Sequence, residues 1–492
     1  MKYYIVNIFL LLNIIFANPF DGLTLITATT DRDAFDGLTL MTTIGGTQNT
    51  SSTFLIDNDE YTVNSWIHEN GTASVAYLTQ DSILFLPGKN TGNPGGGQPP
   101  QGGLFKKIDW HGNIIWEWQM PTEDICEPHH DIALLPNGNF LVICEETKNQ
   151  QAALDAGLEG INGSISLDMV VEVQPIGIDD AAIVWEWHFW DHLVQNRGPQ
   201  YTATYGNIAD YPELLDINVT GPGDNNGISD WNHCNKISYN ANFDQIVLSS
   251  RFMNEIFVID HTTTTEEAAG HTGGIQGKGG DFIYRWGNPQ NYDRGTADDQ
   301  ILNAQHGVDW ISDGYPGEGN FLLYNNKHQT NPNRSAILEF ECIADENGFY
   351  PIDDNEPFGP LELVWIYQAD FFSNTQSGAY RLPNGNTIIT QTHTAKIVEV
   401  DLDGNDVWSF QFTSDDGSAW IARCQKYSQD YLMDSIIGDM NADGIQNILD
   451  IVILVNLVLA EDNSNPSGDV NGDEIQNILD IVILINLILE GD

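Results

Sequence analysis

Over most of the chain, apolar residues alternate with polar ones in short runs, and clusters of Gly, Asn, Asp and Pro separate the runs. A period of two is the signature of half-buried β-strands. The pattern is clearest from Ser377 to Phe410, which reads as four strands: 379–382, 386–391, 396–400 and 406–410. A Pro-Asn-Gly turn separates the first two, and Asp401–Asn405 separates the last two. Four up-and-down strands in one such stretch make one propeller blade. First-pair patterns recur at 74–88, 129–146, 233–251 and 306–326. Second pairs, each ending in a Trp-bearing strand, recur at 104–118, 169–187, 255–286 and 336–367. Two halves are left over, a second pair at 53–66 and a first pair at 417–433. Joined, they complete a sixth blade and remove the exposed edges of an open assembly. The expected fold is therefore all-β: a six-bladed β-propeller over 53–433, closed by N- and C-terminal strands, plus a small all-α domain at the C-terminus.

That last domain announces itself by a different repeat. Residues 439–450 and 469–480 are two twelve-residue loops of near-identical sequence, each followed by an apolar helical run. Oxygen-bearing side chains fall at alternate positions: Asp439, Asn441, Asp443, Asn447 and Asp450, then Asp469, Asn471, Asp473, Asn477 and Asp480. Alternate oxygen ligands in such a loop suit Ca2+, with a backbone carbonyl of Ile445 or Ile475 completing each set. Glu474 stands where the first loop has Gly444, so the second loop departs from the first at its sharp turn.

At the other end, a Lys followed by an apolar run too short to span a bilayer predicts a signal peptide over 1–17, with no membrane span once it is removed. Residues 18–52 form a weakly patterned N-terminal segment carrying FDGLTL twice. Stretch 88–103 is a Gly/Pro loop, and 190–230 and 287–305 are long polar connections between blades. Lys and Arg total 18 against 70 Asp and Glu, a net charge of −52, which excludes nucleic acid as a natural partner. The balance fits a protein that is secreted, periplasmic or held at the cell surface. Five cysteines have no zinc spacing; Cys126 and Cys144 bracket one strand pair and could bridge.

The positive charge that remains is concentrated in phase with the repeat. His129 and His130, His233 and His306 open the first strand of three blades; Arg251 and His393 close second strands; Arg334 follows a strand pair. Strand ends at one face of a propeller lie around its channel mouth. Imidazoles could bind metal, but no HxH or HExxH spacing supports it. Histidine with arginine in so acidic a chain points to an anion site, Arg supplying a planar fork of donors and His a donor or a nucleophile.

The strings WNHCNKISYN with QIVLSSR, QHGVDW with NFLLYNN, and SGAYRLPNGNTIITQTH with IVEVD resemble the bacterial arylsulfate sulfotransferase family, over roughly residues 35–433. The resemblance implies a secreted six-bladed propeller that uses no nucleotide cofactor. It moves a sulfuryl group from an aryl sulfate donor to a phenolic acceptor through a sulfohistidine. It implies His393 as nucleophile with His306, His233 and Arg334 on the sulfate; Arg251, His129 and His130 are candidate substrate-binding residues. The competing reading is a non-catalytic extracellular propeller that binds a sulfated ligand. The C-terminal repeat, residues 438–490, is similar to a type I dockerin, which implies a cohesin-bearing partner and Ca2+ in both loops.

Overall fold

The computed structural model describes residues 29–30, 34–45, 51–69, 71–89, 102–121, 126–219, 230–413, 419–432, 438–440, 446–459, 466–471 and 475–490. Six antiparallel sheets dominate it. Blade 1 holds Tyr77–Leu78, Leu84–Lys89, Gly103–Ile108 and Ile114–Gln119. Blade 2 holds Glu127–Leu134, Phe140–Lys148, Ile165–Ile176 and Asp180–His188. Blade 3 holds Cys234–Asn240, Gln245–Ser250, Glu255–Asp260 and Tyr284–Trp286. Blade 4 holds His306–Trp310, Phe321–Thr330, Asn333–Phe340 and Trp365–Tyr367. Blade 5, the unit that reveals the repeat, holds Gly378–Arg381, Thr387–Gln391, Lys396–Val400 and Asp406–Gln411, with Thr29–Thr30 added at its edge. Its turns are those the sequence specifies: Gly385 (φ +93°) and Gly404 (φ +84°) adopt the left-handed conformation that glycine tolerates best.

Blade 6 corrects the sequence reading. There, residues 417–433 were expected to supply two strands and 53–66 the other two. Instead the C-terminal stretch gives one strand, Ala419–Ser428, and the remaining three are Gly37–Gly45, Ser51–Ile56 and Thr62–His68. Gly37–Gly45 lies between the two chain ends, pairing Leu40 with Gln425 on one side and with Leu55 on the other. The ring thus takes in residues assigned above to the N-terminal segment. Both faces of this strand are buried, Thr39 and Thr42 as fully as Leu40, so it lacks a sharp in–out contrast.

Each junction between neighbouring blades has its own apolar cluster. Phe85 and Phe140 meet between blades 1 and 2, and Ile143 and Phe257 lie in the cluster between 2 and 3. Trp286 stacks on Phe340 between 3 and 4; Tyr324 and Ile389 share the next cluster, Trp408 and Phe54 the next, and Leu55 and Leu84 the last. The Trp-bearing strands add a repeated hydrogen bond. Trp66, Trp116, Trp286, Trp365 and Trp408 donate Nε1–H to carbonyls of Asp109, Asp180, Pro360, Leu402 and Asn58, and Trp185 donates to Thr263 Oγ1. In every case the acceptor lies in the connection between the third and fourth strands of the next blade or, for Asp180, at the first residue of that fourth strand. Trp is suited to this, since one side chain supplies a large apolar face and a single donor.

The described parts of the connections after blades 2 and 3 form further regular structure. Leu193–Gln195 pairs in parallel with Thr204–Tyr205 and Leu215–Asp216. Fully buried Arg285 forms a bidentate pair with Glu255 and donates to Leu214 O, tying this small sheet to blade 3. Cys126 and Cys144 form a disulfide within blade 2. The two C-terminal helices, Ile448–Leu459 and Ile478–Glu490, bury Leu454 and Leu484 against Met440. Among the described residues no helix is long and apolar enough to cross a membrane. Residues 1–17, the first FDGLTL copy and most of the 88–103 loop lie outside the described residues.

Candidate functional site

The innermost strand of each blade sends one side chain to the axis: Tyr77, Asp131, Lys236, Asp309, Tyr380 and Arg423. Arg423 lies 2.8 Å from Asp131, Lys236 lies 3.3 Å from Asp131 and 3.9 Å from Asp309, and Tyr77 donates to Asp131 at 2.6 Å. Burial alone would raise the Asp131 carboxyl, but Arg423 and Lys236 outweigh it and hold the group below its ordinary range. This belt fills the axis with paired charges, although Arg423 Nε and the Tyr380 hydroxyl are buried without a hydrogen-bond partner among the described residues.

The first strands begin, and the second strands end, on one face of the ring, and the histidines collect there. His130, His233 and His306 are all buried. The rings of His130 and His233 lie 4.6 Å apart, and those of His129 and His130 5.0 Å apart. The register of the first strand slips beside each of them, between Val142 and Cys144, Cys234 and Lys236, and His306 and Asp309. His130 (φ +55°) and His233 (φ +51°) adopt the left-handed backbone conformation, a strain typical of functional positions. Arg251 joins the cluster; its backbone N–H donates to His233 O.

Carboxylates orient the outer rings. His129 Nε2 bonds Asp168 at 2.8 Å, and His233 Nδ1 bonds Asp230 at 2.5 Å. His306 Nδ1 lies 2.8 Å from Asn326 Oδ1. The Asn326 amide donates to Ser373 O and Gln376 O, so its oxygen must accept, and His306 carries its proton on Nδ1. Nε2 of His306 then holds the free lone pair.

Burial pushes His130 well below the ordinary imidazole range, reinforced by His233, His129, His306 and Arg251. Burial, then Arg251, does the same to His306. His129 moves the other way: burial opposes its charge, but Asp168, Glu145 and Asp230 outweigh it. Beside them, burial raises Glu145 to about 7, assisted by Asp168 and Asp230. The site is thus a pair of neutral imidazoles next to a guanidinium, backed by carboxylates.

Among the residues singled out from sequence, the structure brings His129, His130, His233, His306 and Arg251 together. Arg334 and His393 lie on the same face but have other neighbours. Arg334 pairs with exposed Asp370 at 3.4 Å. His393 accepts from Asn374 N at 3.2 Å, bonds Thr375 Oγ1 at 3.2 Å, and packs on Trp420. Loop 373–377 separates it from His306, holding Asn326 on one side and His393 on the other. Asn326, Glu145, Asp168 and Asp230 escaped the sequence reading. Repeat phase offers a signal for two of them, since Glu145 and Asn326 lie equally far into the second strands of blades 2 and 4.

In the C-terminal repeat, Asp439, Asn447, Asp450, Asp469, Asn471, Asn477 and Asp480 are described, whereas Asn441, Asp443 and Asp473 lie outside the described residues. Asp450 and Asp480 are fully buried and equivalently held. Asp450 accepts from Met440 N and Asn447 N at 2.8 and 2.7 Å, and Asp480 from Asn471 N and Asn477 N at 3.1 and 2.7 Å. This all-oxygen donor set fits a hard cation such as Ca2+.

Among solved structures, the fold is similar to a protein of unknown function from Bacteroides caccae, at 12% identity over 80% of this chain and 98% of that one (TM-score 0.40). It is also similar to a streptogramin B lyase, at 12% identity over 82% and 98% (TM-score 0.34). A virginiamycin B lyase from Staphylococcus aureus matches at 9% identity over 81% and 99% (TM-score 0.34). No curated protein matches the sequence. The arylsulfotransferase (ASST) family matches over residues 27–420. The chain belongs to that family and is an arylsulfate sulfotransferase, an enzyme that moves a sulfuryl group from an aryl sulfate donor to a phenol acceptor.

Proposed function

We propose that the transfer runs through a sulfohistidine at the histidine-lined face. The observation that carries this reading is the convergence of neutral His130 and His306 with Arg251 in a protein of net charge −52. In the first half-reaction a histidine lone pair attacks sulfur, the sulfur–oxygen bond to the aryl group breaks, and the phenolate leaves with that electron pair. In the second, the acceptor phenol passes its proton to a neighbouring neutral imidazole, and its oxygen attacks sulfur as the sulfur–nitrogen bond breaks and the histidine keeps that electron pair. Arg251, Arg334 and the histidine N–H groups offset the charge on the sulfuryl oxygens.

His393 is the nucleophile that the family resemblance favours, and burial keeps its imidazole below the ordinary range and hence neutral. A second reading puts the nucleophile at His306, because Asn326 fixes its proton on Nδ1 and leaves Nε2 free. Trapping with a radiolabelled aryl sulfate and mapping the labelled peptide separates them. His393→Ala is expected to abolish label and turnover, whereas His306→Ala or Arg334→Ala retains label and loses about 10²–10³-fold in rate. Label on His306 assigns the nucleophile there. Turnover with no label on any histidine replaces the covalent route by direct transfer.

The remaining readings concern location and attachment. The protein is exported by its N-terminal segment, and the C-terminal module is dockerin-like, with Ca2+ in both loops and a cohesin-bearing partner. Exposed Ile448, Leu449, Val452 and Leu459 on one helix repeat as Ile478, Leu479, Val482 and Leu489 on the other, giving two like apolar stripes for such a partner.

A further inference from the structure

Blade 3 carries a glycine-rich insertion, residues 261–283, between its third and fourth strands. It folds onto the segment that leaves blade 2. Three side chains converge at this contact: His192 and Asp281, both buried, and half-exposed His271. Their ligand atoms all lie within 4.8 Å of one another. Asp281 Oδ1 faces His192 Nδ1 at 2.8 Å and His271 Nδ1 at 2.7 Å.

His192 faces an acceptor on each ring nitrogen, so it is either an imidazolium paired with Asp281 or a neutral ring with one nitrogen bare. Its Nε2 lies 2.9 Å from the carbonyl of Ala268, which can only accept, so Nε2 carries the proton. In a neutral imidazole Nδ1 is then bare, and it points at a carboxylate oxygen that is also only an acceptor. Metal-binding histidines are commonly held in this way, the distal N–H on a backbone carbonyl and the other nitrogen toward the ion. The surroundings are rigid. Trp187 stacks parallel on His192 at 5.4 Å and donates to Gly280 O. A Cβ on Gly280 would meet His192 Nε2 at 2.7 Å as well as the Ala268 carbonyl, so only glycine brings Asp281 this close. His271 stands on the open side, where it also lines a cavity of about 230 Å³ with Thr202 and Thr204.

We propose that His192, His271 and Asp281 bind one divalent cation of the zinc class, clamping the blade 3 insertion onto the exit of blade 2. Two imidazole nitrogens and one carboxylate suit a first-row ion of this kind better than Ca2+, which takes oxygen ligands. Zinc–ligand bonds of about 2.0–2.1 Å require Asp281 Oδ1 to part from each imidazole nitrogen by roughly half an ångström. Half-exposed His271 has the freedom to do so, and a water or small ligand takes the fourth position. The site is separate from the histidine cluster at the channel mouth and from the calcium-type loops.

The test uses the full-length protein, stripped with chelator and returned to excess Ca2+ so that the C-terminal loops are not what zinc titrates. Calorimetric titration with zinc is compared for the wild type and His271→Ala, a half-exposed position whose loss leaves the core intact. The expected result is one additional zinc in the wild type. Its affinity should fall by more than the ~10–100-fold that loss of an outer-shell partner costs. Zinc should raise the unfolding temperature of the wild type and not of His271→Ala. Cobalt in place of zinc should give the intense visible bands of a tetrahedral ion in the wild type only. Equal zinc stoichiometry and affinity in the two proteins would overturn the proposal, leaving His192 and Asp281 as a buried ion pair. Zinc taken up at the channel-mouth histidines would appear equally in both and cancels from the comparison.

Discussion

Single residues here are governed by what surrounds their ring nitrogens. His68 sits at the end of blade 6, buried, with Nε2 2.8 Å from Thr53 Oγ1. Burial, helped by nearby Lys106, lowers it to about 4. In the unfolded chain it protonates near the ordinary imidazole value of 6.5. Above that value both states are neutral and the group costs nothing. As pH falls from 6.5 toward 4, the unfolded state binds a proton that the folded state refuses, so stability is lost across that window. The expected loss is on the order of 2–3 kcal/mol by pH 4. Urea denaturation of the wild type and of His68→Gln at pH 7 and pH 4.5 checks it: the variant should lose less on acidification, and equal losses would show that His68 titrates normally. At the same scale, His130, His233 and His306 are legible in the sequence because they share one repeat position. The tautomer of His306 is not, because Asn326 sets it across a strand pairing that sequence spacing does not encode.

At the scale of elements, the Trp of each fourth strand is the unit that joins blades. Trp408 is fully buried and donates to Asn58 O at 2.9 Å, across 350 residues of chain. Trp365 makes the same bond to Leu402 O at 2.9 Å from a more exposed position. Replacing Trp by Phe removes the donor in both, and in Trp408 it also opens packed volume. Trp408→Phe should therefore cost about 1–3 kcal/mol, and Trp365→Phe about 0.5–1 kcal/mol. Equilibrium denaturation of the two variants tests the ordering, and the reverse order would mean that the hydrogen bond matters more than the buried ring. The Trp-bearing strands were visible as a recurring pattern, but their acceptors were not, since each lies in a turn of another blade. Gly37–Gly45 is hard to read from sequence for a related reason. Its buried threonines make it look polar, and only the pairing of Leu40 with both Gln425 and Leu55 reveals it as a strand of the ring.

For the molecule as a whole, the axial belt is where all six blades meet. Asp131 balances both Arg423 and Lys236, each almost wholly buried. Asp131→Asn keeps the shape but leaves two buried cations short of a partner, and removing one member of a buried pair typically costs about 3–5 kcal/mol. A loss of that size in urea denaturation at pH 7 is expected; a change below about 1 kcal/mol would show that water or the tyrosines carry those charges instead. None of the six belt residues stood out in the sequence, because each is a single polar residue in an otherwise ordinary strand.

The division follows from the range of the interactions. Alternation, turn residues and repeat phase are local, so the sequence by itself determined most strands of blades 1 to 5, the count of six blades, the two loop–helix repeats and the face on which the histidines gather, whereas the make-up of blade 6 waited on the structure. Partnerships between residues far apart along the chain depend on how the ring brings strand ends together. Only the tertiary structure decided that His306 answers to Asn326, that His192 and His271 meet on Asp281, and that Arg423 reaches across the axis to Asp131.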